Sequence, residues 1–327
     1  MIIKGISIKC SFRSAFSFVV LCFVLFSLFF TSCSGEKNIV RVGTWKTPQT
    51  IHPWFYQQFL PDYQVKVMPF TNPGDQKAAL LAGSLDFCGT TWVHAVASAS
   101  RGEPVVAVAS LCEKASALVV SKGAGITGVT DLRGKTIGYV PGTMHEMLLR
   151  EVLVGVGLDP DTDVTLMRVD FFDMGTALST GSIDAFLSGE PYPSIAVKEG
   201  YGEILSYPYY EDFIGTINAA WITSQEMIKK EPELIQKIVS ANARAVEYLR
   251  ENPDEWMNHS EQFGFDREVM EISFSNIMLT WDLDEETISR VKKLGQRMLE
   301  MGLIEKEPDW ELFFDISFVE RTREKID

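Results

Sequence analysis

Two stretches decide the architecture: "AALLAGSLDFCGTTWVHAVASASRG" at 78–102 and "TALSTGSIDAFLSGEPYPSIAVKEG" at 176–200. They align at an offset of 98 residues. Ala79, Leu80, Gly83, Ser84, Asp86 and Gly102 recur as Ala177, Leu178, Gly181, Ser182, Asp184 and Gly200, and Leu85 becomes Ile183. Each copy reads as a helix stopped by glycine, a short apolar strand, a loop and a second helix stopped by glycine. "VKVM" (65–68) and "VTLM" (164–167) add a strand upstream of each. Short strands alternating with short helices imply parallel sheets covered by helices on both faces. Two copies predict two such lobes.

Outward from the repeat, "IVRVGTW" (39–45) opens the first lobe and "SALVVSK" (116–122) leaves it. "GVTDLRGKTIGYVPG" opens the second lobe with a strand at 136–140, and "INAAWITS" (217–224) is the strand that returns. The remainder reads as helices opened by Asp or Ser and broken near Pro232. "DREVMEISFSNIML" is expected to be helical throughout. The expected division is lobe 1 over 39–121 plus 220–327 and lobe 2 over 122–219, with a cleft between them.

The N-terminus has a different character. Lys4, Lys9 and Arg13 precede an apolar run from Ala15 to Phe30, and "FTSC" follows. A basic start, an apolar middle and a small-residue exit form an export signal over 1–32. The end resembles a bacterial lipobox, which implies lipidation of Cys33 and a short linker over 33–38. An uncleaved membrane anchor is the alternative, although the run falls short of the ~20 residues a spanning helix needs. Residues 1–32 hold three of the 30 basic side chains and none of the 44 acidic ones, so the remainder carries a net charge of −17. Such a surface excludes nucleic acid as a partner. Cys88 and Cys112 lie in apolar runs and read as buried free thiols, with a disulfide as the alternative. No cysteine or histidine spacing suits a structural zinc, so neither a metal nor a cofactor is expected.

Ligands of such sheets sit beyond the carboxyl ends of the strands. That rule selects Trp45, Thr71, Asn72, Thr90, Thr91 and Trp92 in lobe 1, and Gly142, Thr143, His145, Asp170, Glu190 and Tyr192 in lobe 2. In "YVPGTMHEMLLR" (139–150), Gly142 permits the turn, Thr143 caps the helix, and the free N–H groups of the first turn could hold an anionic group. His145 would donate to that group. As a catalytic base it would need Glu146 to orient it, and adjacent helical residues point about 100 degrees apart. Trp45 and Trp92 suit a flat or cationic ligand group, whereas Trp256, Trp281 and Trp310 read as packing. Glu190 either faces a ligand amine or ring N–H, pairs with Lys46, or is a solvated acid.

The linked motifs "GSLDFCGTTWVHAVASASRGEPVVAVA", "DLRGKTIGYVPGTMHEMLLREVLVGVGLDP" and "TGSIDAFLSGEPYPSIAVKEGYGEIL" resemble the substrate-binding proteins of the nitrate/sulfonate/taurine and thiamine-pyrimidine transporter group. The resemblance spans most of residues 39–250. It implies an α/β, two-lobe periplasmic-binding fold of type II, hinged by crossing strands. It further implies a monomer outside the cytoplasm, anchored to the bacterial membrane by lipid, that hands a small molecule to an ABC permease. The ligand would be an anion, sulfonate, zwitterion or pyrimidine-like ring. Small residues and a proline follow the third strand in sulfonate binders of this group. Cys88-Gly89-Thr90-Thr91-Trp92 stands there in this chain, a departure that argues against a small sulfonate and leaves room for an aromatic ligand such as a pyrimidine. Some proteins of the group instead make a thiamine pyrimidine, so an enzyme is the rival reading, and a receptor's sensing module is another.

Overall fold

The computed structural model describes residues 38–71, 73–210 and 214–326. The expected export signal, the expected lipidation site Cys33 and the ligand candidate Asn72 lie outside the described residues. The strands are β1 Asn38–Thr44, β2 Tyr63–Pro69, β3 Phe87–Thr91, β4 Val105–Lys114, β5 Ser116–Ser121, β6 Thr136–Tyr139, β7 Thr165–Arg168, β8 Ala185–Gly189, β9 Gly202–Ser206, β10 Ile217–Ser224 and β11 Ile277–Leu279. They form two sheets, ordered β11-β4-β10-β3-β1-β2 and β7-β6-β8-β5-β9.

The helices are α1 Tyr56–Phe59, α2 Pro73–Leu81, α3 Trp92–Ser100, α4 Met144–Gly155, α5 Met174–Ser179, α6 Tyr192–Lys198, α7 Gln225–Lys230 and α8 Pro232–Glu251. They continue with α9 Pro253–Gln262, α10 Arg267–Phe274, α11 Glu285–Glu300, α12 Trp310–Phe313 and α13 Ser317–Ile326.

The repeat is visible atom by atom. Gly83 and Gly181 take φ of 74° and 73°, which glycine adopts without a Cβ penalty. Ser84 N–H donates to Ala79 O and Ser182 N–H to Ala177 O, both at 2.9 Å, closing the two helices alike. The repeated aspartates then join β1 to β3 and β6 to β8. Asp86 N–H donates to Arg41 O (2.9 Å), and Arg41 N–H returns to Asp86 Oδ2 (2.7 Å). Asp184 N–H donates to Thr136 O, and Thr136 N–H returns to Asp184 Oδ2, both at 2.8 Å. Leu85 and Ile183 lie over Gly43 and Gly138, where a Cβ would come within 2.4 and 2.8 Å of their Cδ1 atoms. Glycine is therefore required in both strands for close layer packing.

The sheets are mixed. β1 and β3 run parallel, as do β6 with β7 and β8. β10 lies antiparallel between β3 and β4, and β5 lies antiparallel between β8 and β9. Ser116–Ser121 was expected with the first lobe but belongs to the second sheet, with Leu118 opposite Leu187. Its short apolar run marks it as a strand, and only the pairing partner says which sheet takes it. Where β4 passes to β5, its last residue Lys114 and the single linking residue Ala115 are both non-glycine residues with positive φ, at 58° and 65°.

The C-terminal helices follow the expected caps. Ser224, Asp266 and Asp284 accept from the N–H groups of Met227, Glu268 and Thr287. One expectation fails: the helix from Arg267 ends at Phe274, and Ile277–Leu279 pairs antiparallel with β4. The open edge of β4 offered backbone partners that outweighed local helical preference. Cys88 and Cys112 are free and buried.

Asp86→Ala is expected to lower unfolding free energy by about 1–3 kcal/mol, since it orphans the backbone N–H of Arg41. The exposed part of the Arg41 guanidinium adds little. Urea unfolding of the variant against the parent chain measures it. A smaller cost than that of an exposed Asp→Ala control contradicts the clasp.

Candidate functional site

The loops that follow β1, β2, β3, β6, β7 and β8 converge on one cavity of about 450 Å³. Trp45, Thr71, Thr91, Thr143, His145, Glu190 and Tyr192, seven of the sequence candidates, line it. The loop after β1 is stapled: Thr50 Oγ1 donates to Trp45 O (2.7 Å), Thr47 and Thr50 hydroxyls share a hydrogen bond (3.0 Å), and Trp256 Nε1 donates to Pro48 O (2.8 Å). Gln49 from that loop donates through Nε2 to Glu190 O (2.9 Å), tying the two walls of the cavity together.

Thr143 caps α4 as expected. Its hydroxyl donates to Val140 O (2.7 Å) and accepts from Glu146 N–H (3.4 Å). Glu146 does not orient His145. Its carboxylate accepts from Gly142 N–H (2.7 Å) and pairs with Arg150 (3.1 Å), so a buried negative charge already sits against the positive end of the helix. His145 is 7% exposed and its Nδ1 shares a hydrogen bond with Ser116 Oγ (2.8 Å). Burial holds its imidazole down to about 4, so it is neutral at ordinary pH. Its ring meets Phe171 edge to face, 5.4 Å between centroids.

Glu190 is 2% exposed. Its Oε2 accepts from Ser194 Oγ (2.7 Å) and Ser194 N–H (3.3 Å), and its Oε1 from Asn276 Nδ2 (3.0 Å). Burial pushes its carboxyl above the usual range, while Asn276 and Ser194 pull it back. Glu190 is therefore neither a solvated acid nor a partner of Lys46, whose Nζ lies 5.5 Å above the Phe263 ring. Asn276 Nδ2 also donates to Ser116 O (3.1 Å), so the carboxylate anchors the segment after the crossing.

Four candidates lie away from the cavity. Thr90 is buried on the opposite face of β3 from Thr91, because successive strand residues point to opposite sides. Trp92 is 0% exposed and packs 6.2 Å from the ring of Phe314; as the first residue of α3 it points into the helical layer. Gly142 makes the turn (φ 71°) but gives its N–H to Glu146. Asp170 is exposed, and its neighbours Phe171 and Phe172 line the cavity instead.

The sequence reading missed Asn218 and Ala219 on β10, Cys112 on β4, and Phe263 and Phe265 between α9 and α10. The polar run Lys46-Thr47-Pro48-Gln49-Thr50 after β1 was the available signal for Lys46, Thr47, Gln49 and Thr50. No local signal marked Phe263. Cys112 has a thiol pushed far up by burial, and Cys88 is pushed up to about 12, so neither holds a thiolate.

A family model for NMT1/THI5-like proteins matches residues 61–256. A putative binding protein of Brucella abortus is 31% identical over 201 residues, 59% of this chain and 60% of that protein. The 4-amino-5-hydroxymethyl-2-methylpyrimidine phosphate synthase THI13 of Saccharomyces cerevisiae is 27% identical over 203 residues, 58% of each chain. This chain thus spans about 60% of the length of these curated relatives. Among solved structures, the alkanesulfonate-binding protein SsuA of Xanthomonas axonopodis pv. citri, bound to MOPS, superposes with a TM-score of 0.76 at 18% identity, covering 87% of this chain and 100% of that one. That likeness establishes the two-sheet fold of type II periplasmic binding proteins.

Two outcomes follow from the buried acid and base. Glu190→Ala is expected to cost roughly 2–3 kcal/mol, because Ser194 and Asn276 lose their buried acceptor; a variant with parental urea midpoint contradicts this. The second concerns pH. His145 titrates at about 4 when folded and 6.5 when unfolded, so the unfolded chain binds the proton first and stability falls as pH drops from 6.5 toward 4. His52 and His94, held to about 3 and about 4 by burial, act in the same direction. The His145 share is about 3 kcal/mol when complete. His145→Gln should flatten the stability slope between about pH 6.5 and about pH 4; an unchanged slope contradicts the assignment.

Proposed function

The chain belongs to the NMT1/THI5-like family, and from that premise we propose that it is an extracytoplasmic solute-binding lipoprotein, the capture component of an ABC importer. The single observation that carries the reading is one cavity roofed by strand-end loops of both sheets, with the chain crossing beside it at Lys114–Ala115. In the lobe division proposed here, each sheet with its helices is one lobe. A small polar or heteroaromatic solute enters the open cleft, the lobes close about the crossings, and the permease recognises the closed form. Binding shifts that equilibrium by its differential affinity for the two states. SsuA, which shares the fold and is named for alkanesulfonate binding, and the putative binding protein of Brucella support a binding role.

The yeast relative is a synthase, so the binding role needs an argument from the site. His145, neutral and bonded to Ser116, has no carboxylate orienting it, and Cys112 is a thiol rather than a nucleophilic thiolate. These groups recognise a solute better than they transform one. On this reading the export signal over 1–32 is removed and lipidation of Cys33 holds the protein, as a monomer, outside the cytoplasm on a bacterial membrane.

Protein purified without refolding should retain its solute, seen by native mass spectrometry as a mass adduct that denaturation removes intact. Release of a chemically altered molecule on incubation would favour the enzyme. Mass spectrometry of the membrane-extracted chain should find it beginning at Cys33 with a lipid adduct, and a chain that still begins at Met1 would favour an uncleaved anchor.

A further inference from the structure

Given that the cleft holds a solute, we propose that the ligand is a planar aromatic molecule whose buried end is uncharged, and that Phe172 is the specificity residue that covers its outer side. The charges around the cavity argue first. Among the described residues, the ionic side chains that line it are Lys46 and Glu190. Both carboxylate oxygens of Glu190 are already occupied by Ser194 and Asn276. Lys46 is exposed and lies over Phe263 at the rim. The helix start that would receive an oxyanion is already compensated by the chain's own Glu146, buried and bonded to Gly142 N–H. A small anion drawn to the bottom of the cavity would lose its water without gaining a buried cation, a cost that excludes it. Thr91, Thr143, Asn218 and the neutral ring of His145 offer dipoles there instead.

The walls argue second. Phe171 and Tyr192 lie nearly parallel (10°) with centroids 6.4 Å apart, and Phe172 stands edge-on to Tyr192 (82°, 5.7 Å). Trp45, Phe70 and Phe263 complete a shell of rings. Aromatic faces and edges presented in this way suit another ring. The volume of about 450 Å³ falls within the ~300–1,000 Å³ of pockets that bury drug-sized molecules, far beyond what nitrate or a short alkanesulfonate fills.

Phe172 argues third. It is 64% exposed while it lines the cavity, and its neighbour Phe171 is half-buried. A phenyl ring left in water at the mouth of a ring-lined cavity gains burial when a ligand ring arrives beneath it. Because it is exposed in the free protein, its removal leaves the fold intact.

The test titrates the mature chain with two neutral bicyclic probes, indole and quinoline, and with nitrate, sulfate and ethanesulfonate, reading tryptophan fluorescence and thermal unfolding. The ring probes should raise the unfolding temperature, and the anions should not at tenfold higher concentration. Phe172→Ala should weaken ring binding by about tenfold, as loss of a buried phenyl ring implies, with the ligand-free unfolding temperature unchanged. Tighter binding of any oxyanion than of the ring probes would overturn the proposal and leave the solute-binding reading standing. Unaltered ring affinity in Phe172→Ala would remove that residue's role. If neither class binds and native mass spectrometry finds no retained solute, the solute-binding reading itself fails, and the proposal with it.

Discussion

Each sheet is completed by an antiparallel strand that adjoins a crossing to the other sheet, and this exchange governs the rest of the molecule. β4 ends in the first sheet, and β5 begins in the second after a single intervening residue, Ala115. The turn is tight enough to force Lys114 and Ala115 into the left-handed region, which costs a non-glycine residue about 1–2 kcal/mol each. The surroundings over-determine it. Lys114 N–H donates to Thr216 O (2.7 Å), Ala115 N–H to Asn276 O (2.6 Å), Glu190 N–H to Ala115 O (2.9 Å), and Asn218 Nδ2 to Lys114 O (2.5 Å). Two of those partners, Glu190 and Asn218, also line the cavity. The crossing and the cavity are therefore one hydrogen-bonded unit, and movement of the chain at the crossing must disturb the cavity wall.

The duplicated residues explain why both sheets reach the crossing in the same register. A glycine stop, a serine turn and an aspartate clasp bring the strand after each helix alongside the first strand of its sheet. The same order results on both sides: β2-β1-β3 followed by antiparallel β10, and β7-β6-β8 followed by antiparallel β5. With the parallel strands of both sheets set alike, their carboxyl-end loops are the ones left to face a common space. The repeat thus acts through geometry, and the residues that differ between the copies carry the site. Trp92 and Glu190 occupy equivalent places after β3 and β8, yet one is core and the other bridges the cavity to the crossing.

Much of this was legible in the primary structure. The glycines and aspartates act within their own repeat unit, so spacing alone exposed them. The strand-end rule found Trp45, Thr71, Thr91, Thr143, His145, Glu190 and Tyr192 because each follows a strand whose end was itself readable. The same rule overreached at Thr90 and Trp92, since it selects a loop and not the direction of a side chain. It was silent on Phe263 and Phe265, which come from a turn between helices far along the chain.

Sequence alone determined the two-sheet plan, the helix stops and the loops from which a ligand site would be built, because these rest on hydrogen bonds and periodicities confined to short spans of chain. Tertiary structure alone decided that β5 joins the second sheet, that Glu190 is bonded to Ser194 and Asn276, that Glu146 supplies its helix with a negative charge, and that a turn between C-terminal helices brings Phe263 to the cavity. Those outcomes depend on which groups lose water together, and that is set by contacts between segments that can lie more than 200 residues apart in a chain of 327.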